Sequence, residues 1–334
     1  MKALATILAL LACVTTLGAC KMLERLEKSA QPNAAASTRA ASTGAPSSEE
    51  ANDSLLADKL DAYIYCMNYE TRSAFSAKEG YLRRVDAVKG PTGKENGLSV
   101  PELNPAECFE RIDQAKTKQP SLPDVEASAA KYASALSALA ALTKQAHDYY
   151  DQKEFKDDKF AKGIALHKPL LAAFDAFEQA DKPFEAQVST LNDALSERRL
   201  ARLKSDPTQV LPYDIAQSLD DAKKLVHFAE VDSLEQVNLP GLTAAVTTYE
   251  EALAALSSYA DAHHAEAEKV AFLSGFRSAA SDFLKAAKEL VRRKRDKKGY
   301  QGETLPPEMI DGHPANVLAK YNDMINRSND LGYH

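Results

Sequence analysis

The sequence predicts an all-α fold, an elongated bundle of long antiparallel helices, and three observations carry that expectation. Glycine is sparse, 13 of 334 residues, and tryptophan is absent, while alanine is abundant beside leucine, glutamate and lysine; that mixture favours long helices. Apolar residues recur three and four apart over most of the chain from Ser54 onward, the period of a helix with one buried face. No segment alternates apolar and polar residues as a half-buried strand would.

The N-terminus reads as an export signal. Lys2 precedes the apolar run Ala3–Val14, which is too short to span a bilayer and has the length of a signal-peptide core. Leu17-Gly18-Ala19-Cys20 follows and looks like a lipobox, so residues 1–19 are expected to be cleaved and Cys20 to be acylated. Two or more acyl chains anchor stably where one does not, at about 0.8 kcal/mol per buried methylene. Lys21 in place of aspartate, by resemblance to enterobacterial sorting, points to the outer membrane, facing the periplasm. Residues 20–53 form the expected lipidated N-terminus and flexible linker. Within it Met22–Ser29 could make a short helix, and Ala30–Asn52 is too polar and small to bury a core.

Residues 54–334 form the expected helical extracytoplasmic domain. Leu56, Leu60, Tyr63, Ile64 and Met67 set a first helix with Ser54 as N-cap, running to about Val85. Lys89–Lys94 is a loop by its glycines and proline. A short helix follows from Pro105 to before Pro120, then a long one over Asp124–Asp151. Asp157 to about Lys204 is a further helix in which Pro169 and Pro183 predict kinks or breaks. Pro212–Ala229 is shorter. Leu242–Lys269 and Ala271–Lys298 are expected as a pair, or as one rod bent near Gly275. Gly299–Pro314 is irregular, and Ala315–Asn329 closes the chain. A faint internal echo relates Tyr132, Leu136, Leu139 and His147 to Tyr249, Leu253, Leu256 and His264 at one constant offset. Amphipathic alanine-rich helices resemble one another, so duplication and mere likeness are both open.

Four cysteines reduce to two after export, because Cys13 leaves with the signal and Cys20 is acylated. In an oxidising compartment Cys66 and Cys108 are expected to form a disulfide. Closing that loop contributes about 4 kcal/mol in the chain-entropy model. A redox pair is the weaker alternative, since no C-x-x-C motif is present.

Other constellations carry less. Gly90-Pro91-Thr92-Gly93-Lys94-Glu95 imitates a phosphate loop, but Val88 stands where a glycine is needed, Glu95 where serine or threonine is needed, and a helix precedes it. His264 and Glu268 stand one turn apart and could supply two metal ligands, without the H-E-x-x-H order that adds a general base; a solvated helix face is the simpler reading. His147 with Asp151 is discounted equally. Asp157-Asp158 lacks the alternating ligands of a calcium loop and better suits a helix N-terminus. Arg292, Arg293, Lys294, Arg295, Lys297 and Lys298 form a basic block that either ends a helix favourably or contacts an anionic envelope surface. A net charge of −7 argues against general nucleic-acid binding.

From about Leu60 to Arg199 the sequence resembles the YiiG-like family of bacterial lipoproteins, a domain of unknown function. The residues that carry the resemblance are Tyr81-Leu82-Arg83 leading to Gly90–Glu95, the run Tyr149–Gly163, and His167-Lys168-Pro169-Leu170-Leu171. The resemblance implies an all-helical extracytoplasmic domain and transfers no catalytic residue. The expected function is therefore a non-enzymatic binding or scaffolding module, anchored to the membrane through lipidated Cys20, with an envelope protein or anionic component as partner, no nucleic acid and no cofactor. The alternatives are a small-ligand or metal-binding periplasmic protein and a metal-dependent hydrolase using His264 and Glu268.

Overall fold

The computed structural model describes residues 48–333, apart from Asn96 and Asp232. The expected signal peptide, the acylation site Cys20 and most of the expected linker lie outside the described residues. The fold is an all-α helical bundle. In chain order α1 is Ser48–Cys66, α2 Arg72–Leu82, α3 Ala106–Thr117, α4 Pro123–Asp151, α5 Phe155–Asp158, α6 Ala161–Ser205, α7 Val210–Val226, α8 Leu239–Ala262, α9 His264–Ala267, α10 Leu273–Arg295 and α11 Pro314–Asn329. A π-helical turn, Met67–Thr71, links α1 to α2.

The described residues divide into two compact units, the first ending at Asn192 and the second beginning at Asp193. The division falls within α6.

The same packing rule builds each unit. In α4 the buried residues Val125, Ala129, Tyr132, Leu136, Leu139, Thr143 and Ala146 step by four and three alternately. Leu242, Val246, Tyr249, Leu253, Leu256 and Ala260 do so in α8. A sustained mean step of 3.5 is a heptad stripe, which favours knobs-into-holes packing against neighbouring helices. The internal echo of the sequence is this stripe repeated. It stops at the histidines: His147 sits 3.1 Å from the Val100 carbonyl, whereas His264 is exposed.

In the first unit Tyr132 packs between Phe177 and Phe184 of α6, at 5.2 and 5.0 Å between ring centroids. Buried Lys59 of α1 gathers α3 and α4 around it. Its ammonium donates to the carbonyls of Lys118 and Pro120 at 3.0 and 2.8 Å and to Glu126 at 2.5 Å. In the second unit Phe283 of α10 packs against Tyr249 and Tyr321. There the Tyr249 hydroxyl donates to the Ala280 carbonyl at 3.1 Å.

Several expectations are corrected. α1 reaches back to Ser48, so Ser54 lies inside the helix instead of capping it; Glu49 and Glu50 occupy the first turn, where carboxylates complement the helix dipole. Pro169 and Pro183 sit inside one unbroken 45-residue helix. Each proline forfeits one backbone bond, and buried Leu170, Phe174, Phe177, Phe184 and Val188 hold the helix through both. That helix begins at Ala161 rather than Asp157, because Lys159 and Phe160 take left-handed backbone angles. The second expected pair is not one rod. The chain leaves α8 at His263, passes through α9 and restarts after left-handed Phe272, while Gly275 lies within α10. Between them Val270–Ala271 pairs antiparallel with Gly332–Tyr333, a strand pair of two residues each and so too short for any alternation to betray.

Candidate functional site

Cys66 and Cys108 are joined by a disulfide, with Cα atoms 5.0 Å apart. Both residues are fully buried, and the bridge fastens α1 to α3. Burial keeps the sulfurs from solvent reductant, which fits a staple better than an exchanging redox pair.

The other predicted residues are distributed differently. His264 and Glu268 are exposed, at the start and just past the end of α9. Among the described residues no group of three or more His, Cys, Asp or Glu side chains is placed to hold a metal ion. Within the basic block most cations face partners of the chain itself. Lys294 donates to the carbonyls of Leu234 and Glu235, each at 2.8 Å. The Arg293 guanidinium lies 4.9 Å from the Tyr300 ring centroid and donates to the Gly299 carbonyl. Arg292 pairs with Glu289 and Arg295 with Asp296. Lys297 and Lys298 are exposed. No described helix is long and apolar enough to cross a membrane.

The residues that carry the family resemblance come together in the first unit. The Tyr81 hydroxyl on α2 is 2.9 Å from His167 Nδ1 on α6. His167 Nε2 is 3.1 Å from the Ala87 carbonyl oxygen. A carbonyl can only accept, so Nε2 carries a proton and donates to it. The imidazole is 3% exposed, and both ring nitrogens are occupied. Gly90 presses on the same ring: a Cβ there would come within 3.0 Å of it, and the backbone is left-handed at φ +75°. Glycine is required on both counts.

The loop that imitates a phosphate cradle is closed by its own glutamate. Glu95 accepts from the amides of Thr92 and Gly93 and from the Thr92 hydroxyl, at 2.7 to 2.8 Å. Burial pushes its carboxyl up, but these bonds outweigh it and hold Glu95 below the ordinary range. The amides a phosphate would need are therefore occupied. Asp158 plays the matching part at the start of α6, accepting from the Lys162 amide at 2.9 Å and the Tyr149 hydroxyl at 2.8 Å. Gly163 lets Tyr149 and Tyr150 lie against the helix, since a Cβ there would meet the Tyr150 oxygen at 2.9 Å. Burial pushes the Tyr81 hydroxyl up to about 12, far from a proton donor at neutral pH. Chemically the cluster is a brace: it fixes the loop after α2 onto α6.

A separate hollow of about 440 Å³ lies beside the start of α4, lined mainly by apolar groups of Leu122, Pro123, Val125, Ala186 and Leu191. Sequence reading missed it, because it depends on how α4 and α6 diverge. It also missed buried Lys59 and Asp181. Each was visible only as a charge at a core position of its helical stripe.

A family described as "Protein of unknown function (DUF3829)" matches residues 54–330. The chain is also similar to the "Uncharacterized protein YiiG" of Escherichia coli (strain K12), at 28% identity over 289 residues, covering 82% of this chain and 78% of that protein. No solved structure matches.

Proposed function

The chain belongs to the DUF3829 family of proteins of unknown function, and from that premise we propose that it is a non-enzymatic binding or scaffolding module of the cell envelope, held to the membrane by lipid on Cys20. The observation that carries the non-enzymatic part is the closure of the motif cluster. The polar groups of Tyr81, His167, Glu95 and Asp158 face one another and backbone groups, so the residues most suggestive of chemistry act as braces. The anchor rests on Leu17-Gly18-Ala19-Cys20. A tethered module samples envelope partners by proximity, and lipidation after a signal of this kind favours the outer membrane, facing the periplasm. Lys297 and Lys298, the exposed end of the basic block, are the residues we assign to contact with an anionic envelope component.

A second reading, small-ligand binding, is favoured by the 440 Å³ hollow beside α4, which is within the size range of small-molecule sites.

Pull-down of envelope fractions with the full-length protein, repeated with Lys297→Glu/Lys298→Glu and at high salt, tests the binding role. Binding that falls with charge reversal and with salt supports it; unchanged binding removes the anionic contact. Tight stoichiometric metal in protein purified without chelator, lost in His264→Ala, would instead support the hydrolase alternative.

A further inference from the structure

The core stripe of α6 reads Leu170, Phe174, Phe177, Asp181, Phe184, Val188, each 2% exposed or less. An aspartate thus stands at a heptad core position between two phenylalanines. Such a residue costs stability unless its polar group is satisfied.

Its neighbours form a single file. Asp181 Oδ1 is 2.8 Å from Thr71 Oγ1, Thr71 Oγ1 is 3.1 Å from the Tyr132 hydroxyl, and that hydroxyl is 3.2 Å from the Cys66 carbonyl oxygen, to which it donates. Asp181 Oδ2 meets no hydrogen-bond partner among the described residues. When the carboxylate is ionised, Thr71 donates to it and half of a buried charge is left bare. When the acid is protonated, the file runs one way: Asp181 donates to Thr71, Thr71 to Tyr132, and Tyr132 to the carbonyl, which is a natural terminus. Every hydroxyl proton is then placed.

The file ends on unusual backbone. Thr71 closes the π-helical turn Met67–Thr71, and Cys66 immediately precedes it. π-turns hold one residue more per bond than an α-helix and are marginal on their own. This one is held to α6 through Thr71 and to α4 through Tyr132.

We propose that Asp181 is a proton-operated clasp: the protonated acid holds the π-turn against α4 and α6, and loss of its proton loosens Met67–Thr71. The charged and titratable surroundings agree. On α6, Glu178 disfavours ionisation and Lys182 favours it by less; Lys182 is paired with Glu178 at 2.9 Å, and Lys78 of α2 also bonds Glu178. Glu185 lies one turn further along α6, also buried. From the π-turn comes Glu70, itself raised by burial, and from α4 Tyr132, raised well above the phenol range by burial and by the Asp181 charge. Among the described residues no cation is bonded to Asp181. Burial accordingly pushes its carboxyl up to about 7, against the Thr71 hydrogen bond that lowers it.

The test is hydrogen–deuterium exchange of the full-length protein, read by mass spectrometry and corrected for intrinsic rates, on peptides spanning Met67–Arg72. The closed turn prefers the protonated acid, while the opened acid titrates near 4. Protection should therefore fall from about pH 4 to about pH 7 and then level off, a loss on the order of tenfold to a hundredfold between pH 5 and pH 8. Peptides of α8 should not follow it. Asp181→Asn should flatten the profile. Thr71→Val, which cuts the file at its first link, should flatten the profile as well. Equal protection of the wild-type turn at pH 5 and pH 8 overturns the proposal even if neither variant folds; so does an unaltered profile in Asp181→Asn.

Discussion

Tyr81 and His167 are joined by a 2.9 Å hydrogen bond between α2 and α6, and this bond fixes the imidazole so that its other nitrogen holds the Ala87 carbonyl. Replacing His167 by alanine removes a buried ring and strands two polar partners. We expect a loss of about 2–4 kcal/mol, with the loop between Arg83 and Glu95 becoming the first site of proteolytic nicking. Urea denaturation and limited proteolysis measure both. A variant as stable and as resistant as the wild type would mean that the brace carries no load.

The Cys66–Cys108 bridge predicts a split response to reductant. Because a disulfide leaves no thiol to react, labelling of the unreduced protein unfolded in denaturant should find neither cysteine. Replacing both by serine should lower stability by about 4 kcal/mol in the chain-entropy account. Two labelled thiols in the unreduced, unfolded protein would refute the staple.

Lys59 is the next prediction. Its ammonium is enclosed by two carbonyls and Glu126. Lys59→Ala should cost about 1–3 kcal/mol, since it removes a fully buried side chain and leaves three part-buried acceptors without their donor. Lys59→Arg should not rescue it, because the planar guanidinium does not fit a three-acceptor cage. Thermal denaturation of the two variants decides; near-wild-type melting of Lys59→Ala would contradict the reading.

Stability should also carry the sign of Asp181. Its carboxyl is raised in the fold from an ordinary value near 4 to about 7. The folded state therefore binds the proton more tightly, and stability is fully present below about pH 4 and lost as pH rises toward 7. At pH 8 Asp181→Asn should be more stable than the wild type by up to about 4 kcal/mol, an upper bound from the shift, and at pH 4 the two should match. A variant less stable than the wild type at both pH values would contradict that sign.

The helical architecture was legible because it is periodic. The stripes of α4 and α8 carry their apolar residues at steps of four and three in the sequence itself, and the 41 residues between Cys66 and Cys108 hold a Gly-Pro loop able to return the chain. Proline misled. Pro183 marks a break by local rules, yet Phe184 beside it is fully buried, and tertiary packing outweighs one lost backbone bond. The candidate cluster was legible only as motifs. Nothing in the spacing of Tyr81, Gly90 and His167 says that one ring will touch all three elements, since that contact depends on how the helices cross. Asp181 was hidden for the converse reason: beside Lys182 and Glu178 it reads as solvated surface until the phase of Phe177 and Phe184 is set.

The proposed lipid anchor at Cys20 is read by metabolic labelling with radioactive palmitate followed by fractionation. Label on the protein, recovery in the membrane fraction, and loss of both in Cys20→Ala are the expected results. Unlabelled wild-type protein recovered in the soluble fraction would contradict the anchor.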